Sequence, residues 1–150
     1  FMAANTSPIY GRIADIQVAG AVIGTSANTA TDGTGANTSL IYTADATEGS
    51  YVSTVRLKAI STIAATVARL WVCTATGAFT PGTTNTAVNT TMIGELSIAA
   101  FTASNTLASP VYEFPVNIPL NASYKLLMTF GTSTGAATTG FNPLTIAAKY

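Results

Sequence analysis

Apolar and polar residues alternate with a period of two along much of the chain. In residues 51–59 one parity holds Tyr51, Val55, Leu57 and Ala59, and the other holds Thr54, Arg56 and Lys58. Successive side chains of a strand point to opposite faces, so this pattern predicts a strand with one buried side. Residues 66–74 repeat it, with Ala68, Leu70 and Val72 on the predicted core side. The short connection 60–65 predicts that these two strands are antiparallel neighbours.

Six further segments have strand character: residues 9–19, 39–43, 92–98, 111–116, 124–130 and 144–150. Pro115 cannot donate a hydrogen bond to a ladder, so its strand is predicted at a sheet edge. About eight strands, separated by loops rich in Gly, Thr, Asn, Ser and Pro, predict an all-β protein with one antiparallel β-sandwich of jelly-roll type. We assign residues 11–150 to this domain and residues 1–10 to an N-terminal arm or a first edge strand.

Charge is scarce throughout the sequence. Only 8% of the residues are charged and the formal net charge is zero, whereas ordinary domains are about 25% charged. Such a surface has no basic stripe for nucleic acid or anionic lipid. No apolar run approaches the roughly 20 residues of a membrane span, and residues 1–4 do not resemble the start of a signal peptide.

Threonine and alanine are the abundant residues instead of charged ones, with 27 Thr and 26 Ala in the chain. Threonine suits a half-buried pleated surface, because its methyl group packs while its hydroxyl faces water. A neutral surface is prone to associate. The tendency to associate is a disadvantage for a free protein and an advantage for a subunit that packs against many neighbours.

The residues that usually carry catalysis are missing or isolated. The chain has no histidine, which removes the commonest general base and metal ligand. The single cysteine, Cys73, lies in the middle of a predicted strand without an activating partner. We therefore expect no enzymatic activity and no cofactor.

Six carboxylates are present, and a glycosidase needs two of them facing each other across a cleft. Glu95 and Glu113 meet this condition only if their strands pair. We favour ion pairs between strand-face carboxylates and the cations Arg12, Arg56, Lys58 and Arg69. The segment 32–35, DGTG, lacks the further acidic ligands that a calcium loop needs, so a turn is predicted there and no metal site.

Three loops are long and almost uncharged: residues 24–37, 75–89 and 131–142. Loops of this length are usually functional or ordered by a partner. Trp71, on the strand face of Arg69, suits the core or a subunit interface, with a sugar-binding platform as the alternative. The predicted interface residues are Ile9, Tyr10, Arg69, Trp71, Phe79, Phe141 and Tyr150.

Several segments together resemble a family of small bacteriophage virion structural proteins. The segments are residues 5–10 (NTSPIY), 29–35 (TATDGTG), 43–50 (TADATEGS), 55–58 (VRLK) and 68–72 (ARLWV), followed by Tyr124 and the C-terminal Tyr150. Where this family usually has a Gly-Tyr pair, the chain has Ser123-Tyr124. The resemblance covers most of the chain as a pattern rather than through one diagnostic motif.

The resemblance implies a capsid cement or decoration protein, or a tail-associated protein. The expected partners are the major capsid protein and copies of the chain itself, a trimer being one option, with neither nucleic acid nor membrane. The expected location is the capsid surface of a phage, after synthesis in the bacterial cytoplasm. A fibre or baseplate component that contacts the host, and a carbohydrate-binding module, stay open as alternatives. The uncharged loops and the arm at residues 2–8 are the expected contact surfaces, because burying them desolvates few charges.

Overall fold

The computed structural model describes residues 11–136 and 138–150. This part of the chain holds eight strands and no helix. They are β1 (Ile13–Val18), β2 (Ser39–Thr43), β3 (Ser50–Ala59), β4 (Thr66–Cys73), β5 (Thr90–Ile98), β6 (Val111–Leu120), β7 (Lys125–Phe130) and β8 (Phe141–Lys149). Each predicted strand corresponds to one of these eight. Ile9 and Tyr10, and the predicted arm at residues 1–10, lie outside the described residues.

The strands form two four-stranded sheets. The first sheet has the order β1-β8-β3-β6, and the second has the order β2-β7-β4-β5. Antiparallel pairs join the first strand to the last, the second to the seventh, the third to the sixth and the fourth to the fifth. This nesting of strand pairs is the topology of a jelly roll with two Greek keys, so the predicted fold class is confirmed.

The main core lies between the two sheets. Its fully buried side chains come from alternate positions of β3, β4 and β7, as the period of two predicts: Val55, Leu57, Ala68, Leu70, Leu126 and Met128. Phe130 stacks on Phe141 with ring centroids 5.4 Å apart. Phe141 is therefore part of this core, which corrects its expected place at an interface.

The predicted pairing of the strands at residues 51–59 and 66–74 is wrong. β3 belongs to the first sheet and β4 to the second. The connection between them buries Ile63, whose backbone exchanges two hydrogen bonds with Phe101, at 2.9 and 3.0 Å. Burial of Ile63 at the end of the sandwich carries the chain from one sheet to the other, and loop length alone does not show this.

A bulge changes which residues of β3 face the core. The register of β3 with both neighbours shifts between Val52 and Thr54, so the parity reverses there. Val52 is fully buried and Tyr51 only partly, which corrects the prediction that Tyr51 shares the core side. The partner strand β6 accommodates the bulge with a left-handed residue, Asn117, at φ 50°. β6 is an edge strand, as Pro115 predicts.

Candidate functional site

The outer face of the second sheet carries a second, smaller core. Trp71, Cys73 and Leu127 point away from the main core, yet each is at most 2% exposed. The Trp71 indole Nε1–H donates to Thr129 Oγ1 at 2.9 Å, which satisfies its polar atom. The face of Trp71 was predicted correctly. Its burial agrees with the core option of the prediction, and the side chain is not exposed to serve as a subunit-interface anchor or a sugar platform.

Two long loops cover this face and are tied to each other. The buried Asn85, in loop 75–89, donates from Nδ2 to the carbonyl of Gly33 at 2.7 Å and to that of Gly35 at 3.2 Å, both in loop 24–37. Its Oδ1 accepts the backbone N–H of Gly82 at 2.7 Å. Phe79 of the same loop packs on the second core. The two loops are therefore held to each other by hydrogen bonds within the chain.

The predicted interface residues do not form one surface. Arg69 is largely buried; it pairs with Glu95 at 2.8 Å, and its Nη1 donates to the Asn28 carbonyl at 3.4 Å. Phe79 is partly buried, under the covering loops. Tyr150 lies at the far end of β8, where its carbonyl accepts from Arg12 Nη2 at 3.0 Å.

Three of the four expected cations form ion pairs. Arg56 pairs with Glu113 at 2.6 Å, Arg69 with Glu95, and Arg12 with Glu48 of the turn before β3. Among the described residues Lys58 forms no ion pair, and Lys149 pairs with Asp45 instead. β5 and β6 lie in different sheets, so their strands do not pair. Glu95 and Glu113 nevertheless line the same cavity of about 360 Å³ between these two edge strands, and each carboxylate is paired with an arginine. Exposed pairs of this kind contribute little to stability.

The segment around Asp32 is a turn, as predicted. Asp32 Oδ1 accepts the hydroxyl of Thr34 at 2.6 Å and its backbone N–H at 3.1 Å, and these bonds lower the pKa of Asp32 below its ordinary value. Within residues 11–136 and 138–150, no group of three or more His, Cys, Asp or Glu side chains is arranged to hold a metal ion. The same residues include no helix long and apolar enough to cross a membrane.

Strand β1 presents its polar side inward. Asp15 accepts the hydroxyl of Tyr42 at 2.8 Å. Gln17 donates from Nε2 to the Thr43 carbonyl at 3.1 Å and accepts the Thr43 N–H at 3.2 Å, so its amide bridges the edges of the two sheets. Burial raises the pKa of the Tyr42 hydroxyl, and the Asp15 carboxylate acts in the same direction. The Tyr42 hydroxyl therefore remains a donor at neutral pH.

The apolar side of β1 consequently faces solvent. Ile16 is 60% exposed and Val18 64%, and Ile13 at the start of the strand is 57% exposed. Ile16 and Val18 are directly opposite Ile146 and Leu144 of β8, and directly opposite residues share a face. We name this continuous apolar surface the β1 face; its residues are Ala14, Ile16, Val18, Leu144, Ile146 and Ala148.

The β1 face has the character of an interaction surface. Contiguous exposed apolar residues mark binding sites, whereas apolar residues scattered singly are ordinary. Burying the exposed part of Ile16 or Val18 contributes on the order of 1 kcal/mol each. Sequence reasoning missed this surface. The alternation in residues 13–18 predicts two unlike sides of β1 without showing which side meets the other sheet.

The chain matches no protein-family profile, no curated protein and no solved structure. What bears on its function is therefore the chemistry of its own surface. That surface combines a sparsely charged exterior, an uncovered apolar strand face and a second sheet whose outer face is covered by the chain's own loops.

Proposed function

We propose that this chain is a non-enzymatic structural protein of a bacteriophage particle, a cement or decoration protein that binds the lattice of the major capsid protein. The observation that carries the proposal is the β1 face, an apolar surface that residues 11–136 and 138–150 leave exposed. The proposed location is the outside of the capsid, reached after synthesis in the bacterial cytoplasm.

The fold and the sequence pattern support this role by analogy. Double-sheet jelly rolls occur in viral capsid proteins and also in lectins, and a fold by itself does not fix a function. The resemblance of residues 5–10, 43–50 and 68–72 to phage virion proteins favours the capsid over the lectin.

The energetics of the surface suit a protein that covers seams between coat subunits. Burying an unpaired charge is costly, whereas burying apolar groups is favourable. The six residues of the β1 face are uncharged. The charge that borders them is Arg56 of β3, directly opposite Leu144 and already paired with Glu113, so docking the β1 face on a neighbour leaves no charge unpaired. A cement protein needs many such contacts and no catalytic activity.

The direct test is binding to bare phage heads assembled without this protein. We expect the purified chain to co-sediment with the heads and to raise the temperature at which they rupture. Ile16→Asp places a charge in the centre of the β1 face and should weaken head binding at least tenfold. Leu107→Asp is the matched control, because Leu107 is 66% exposed and lies outside both the β1 face and the three long loops.

Other results would overturn the capsid role. Absence of head binding by the parent chain would exclude it. Antibody labelling of intact particles at the tail would favour a host-contacting component, and specific binding on a glycan array would favour a carbohydrate-binding module. Equal head binding by Ile16→Asp and the parent would exclude the β1 face as the contact.

A further inference from the structure

A groove runs along the seam between the free edges of the two sheets, beside β1 and β2. Residues 17–26 form one wall and residues 36–43 the other, with Phe79 and Pro81 near the middle. Three cavities of about 180, 410 and 170 Å³ follow each other along it. Neighbouring cavities share lining residues, so they form one extended channel, which we name the seam groove.

The walls of the seam groove select an uncharged, extended occupant. None of the residues that line its three cavities is charged, and a charge placed there would lose water without gaining a partner. β1 and β2 are edge strands of their sheets. Edge strands bind extended peptides through main-chain hydrogen bonds. In β2 the main-chain groups of Thr43 are bonded to Gln17 and the Ile41 carbonyl to Thr145, so the part of this edge left for an added strand is its start, at Ser39 and Leu40.

The chain itself contains a segment with this chemistry. Residues 1–10, FMAANTSPIY, have no charged side chain, and the first charged residue is Arg12. Met2, Ile9 and Tyr10 provide apolar side chains for the groove. Ten extended residues span at most about 33–36 Å, which suits a channel that follows several residues of two strands.

The position at which residues 1–10 join the domain favours their binding in the groove of another copy over binding in the groove of the same chain. Gly11 lies against the side chain of Ala148 in β8, where an added side chain would collide. Ala148 belongs to the β1 face, so the chain enters β1 beside the outer face of the first sheet and not at its free edge. The seam groove begins near Gln17, at the opposite end of β1. Running back along β1 would use about 20 Å, roughly six residues, and would leave only a few for the groove. The same segment of a second copy does not have to run along β1 first, so all of its residues are available for the groove.

The geometry points to residues 2–10 of one copy binding in the seam groove of a second copy as an added strand. This inference rests on the proposed role as an assembling subunit, and it names the contact between copies. The seam groove and the β1 face meet at Val18, which belongs to both. The groove opens at the free edge of the first sheet, whereas Ile16 and the other members of the β1 face lie on its outer surface and line none of the three cavities.

Disulfide trapping between full-length chains tests the inference. A chain with Asn5→Cys is mixed with a differently tagged chain with Gly20→Cys, and the mixture is oxidised. We expect a mixed dimer at least ten times more abundant than with Gly77→Cys as the second chain. Gly20 and Gly77 are matched, because an added Cβ at either position has no atom within 4 Å. Equal yields with the two chains would overturn the inference, as would a purely intrachain disulfide in a chain carrying both Asn5→Cys and Gly20→Cys.

A charge in the groove gives an independent measurement. Gly20→Lys should weaken self-association at least tenfold in sedimentation velocity, which corresponds to about 1.4 kcal/mol, while Gly77→Lys should match the parent. Ile16→Asp leaves the groove intact and should keep the parent's trapping yield. Head binding without trapping refutes the groove contact alone, and trapping without head binding refutes the capsid role alone.

Discussion

The outer faces of the two sheets carry similar apolar residues but differ in how far these residues are exposed to solvent. On the second sheet, Trp71 and Leu127 are sealed beneath loops 24–37 and 75–89. On the first sheet, Ile16 and Val18 remain more than half exposed. Within residues 11–136 and 138–150, the chain covers the outer face of the second sheet with its own loops and leaves the β1 face of the first sheet exposed. The uncovered side is therefore the better candidate for contact with another molecule.

The largest expected effect is a difference in stability between a substitution on the covered face and one on the open face. Trp71→Ala should lower the free energy of unfolding by about 3–5 kcal/mol, because it leaves a cavity in a closed core. Chemical denaturation measures this change. Ile16→Ala is the counterpart on the open face and should stay within about 0.5 kcal/mol of the parent. Similar losses for both variants would contradict the division into a covered and an open face.

The next effect concerns the bond between the covering loops. Asn85→Ala removes the amide that joins loop 75–89 to Gly33 and Gly35, and it leaves buried groups unpaired. We expect a loss of about 2 kcal/mol and faster hydrogen exchange in both loops. The exposed Asn142 provides the control, since Asn142→Ala should change stability by less than about 0.5 kcal/mol. Exchange that stays at the parent rate would mean that the loops are ordered by other contacts.

A smaller effect tests what keeps the apolar side of β1 outward. Tyr42→Phe deletes the hydroxyl that Asp15 accepts at 2.8 Å, and should cost about 1–2 kcal/mol in urea denaturation. Tyr51→Phe is matched, because the Tyr51 hydroxyl makes only a 3.4 Å contact with Asn117 at an exposed position. Equal stability of the two variants would show that the bond to Asp15 does not anchor β1.

The smallest effect is acid sensitivity in a covering loop. The pKa of Asp32 is lowered by its hydrogen bonds from Thr34, so the ionised form is favoured in the folded chain. Its stabilising contribution is present above the ordinary pKa of 3.8 and is lost as the pH falls through the lowered folded value. NMR titration should show the lowered midpoint, and Thr34→Ala should move it back towards 3.8. An unchanged midpoint in that variant would rule out Thr34 as the cause.

The sequence alone was sufficient for the strands and for the fold class. Alternation located all eight strands, because side chains of a strand point to opposite faces whatever their neighbours are. Pro115 predicted an edge strand for a local reason, the missing N–H. The pairing of strands depends on contacts distant in sequence, which is why the neighbours of β3 and β4 were predicted wrongly.

For the candidate site, the sequence determined which residues share a side of each strand. The tertiary structure decided which of those sides is exposed. Two unlike sides of β1 and of β4 are readable from residues 13–18 and 66–73. Trp71 is packed beneath loop 75–89, which Asn85 ties to loop 24–37, and the polar side of β1 is bonded inward through Asp15 and Gln17. Both outcomes depend on partners that are remote along the chain. A period of two specifies that a strand has two sides, and only the folded arrangement determines which of them another part of the chain covers.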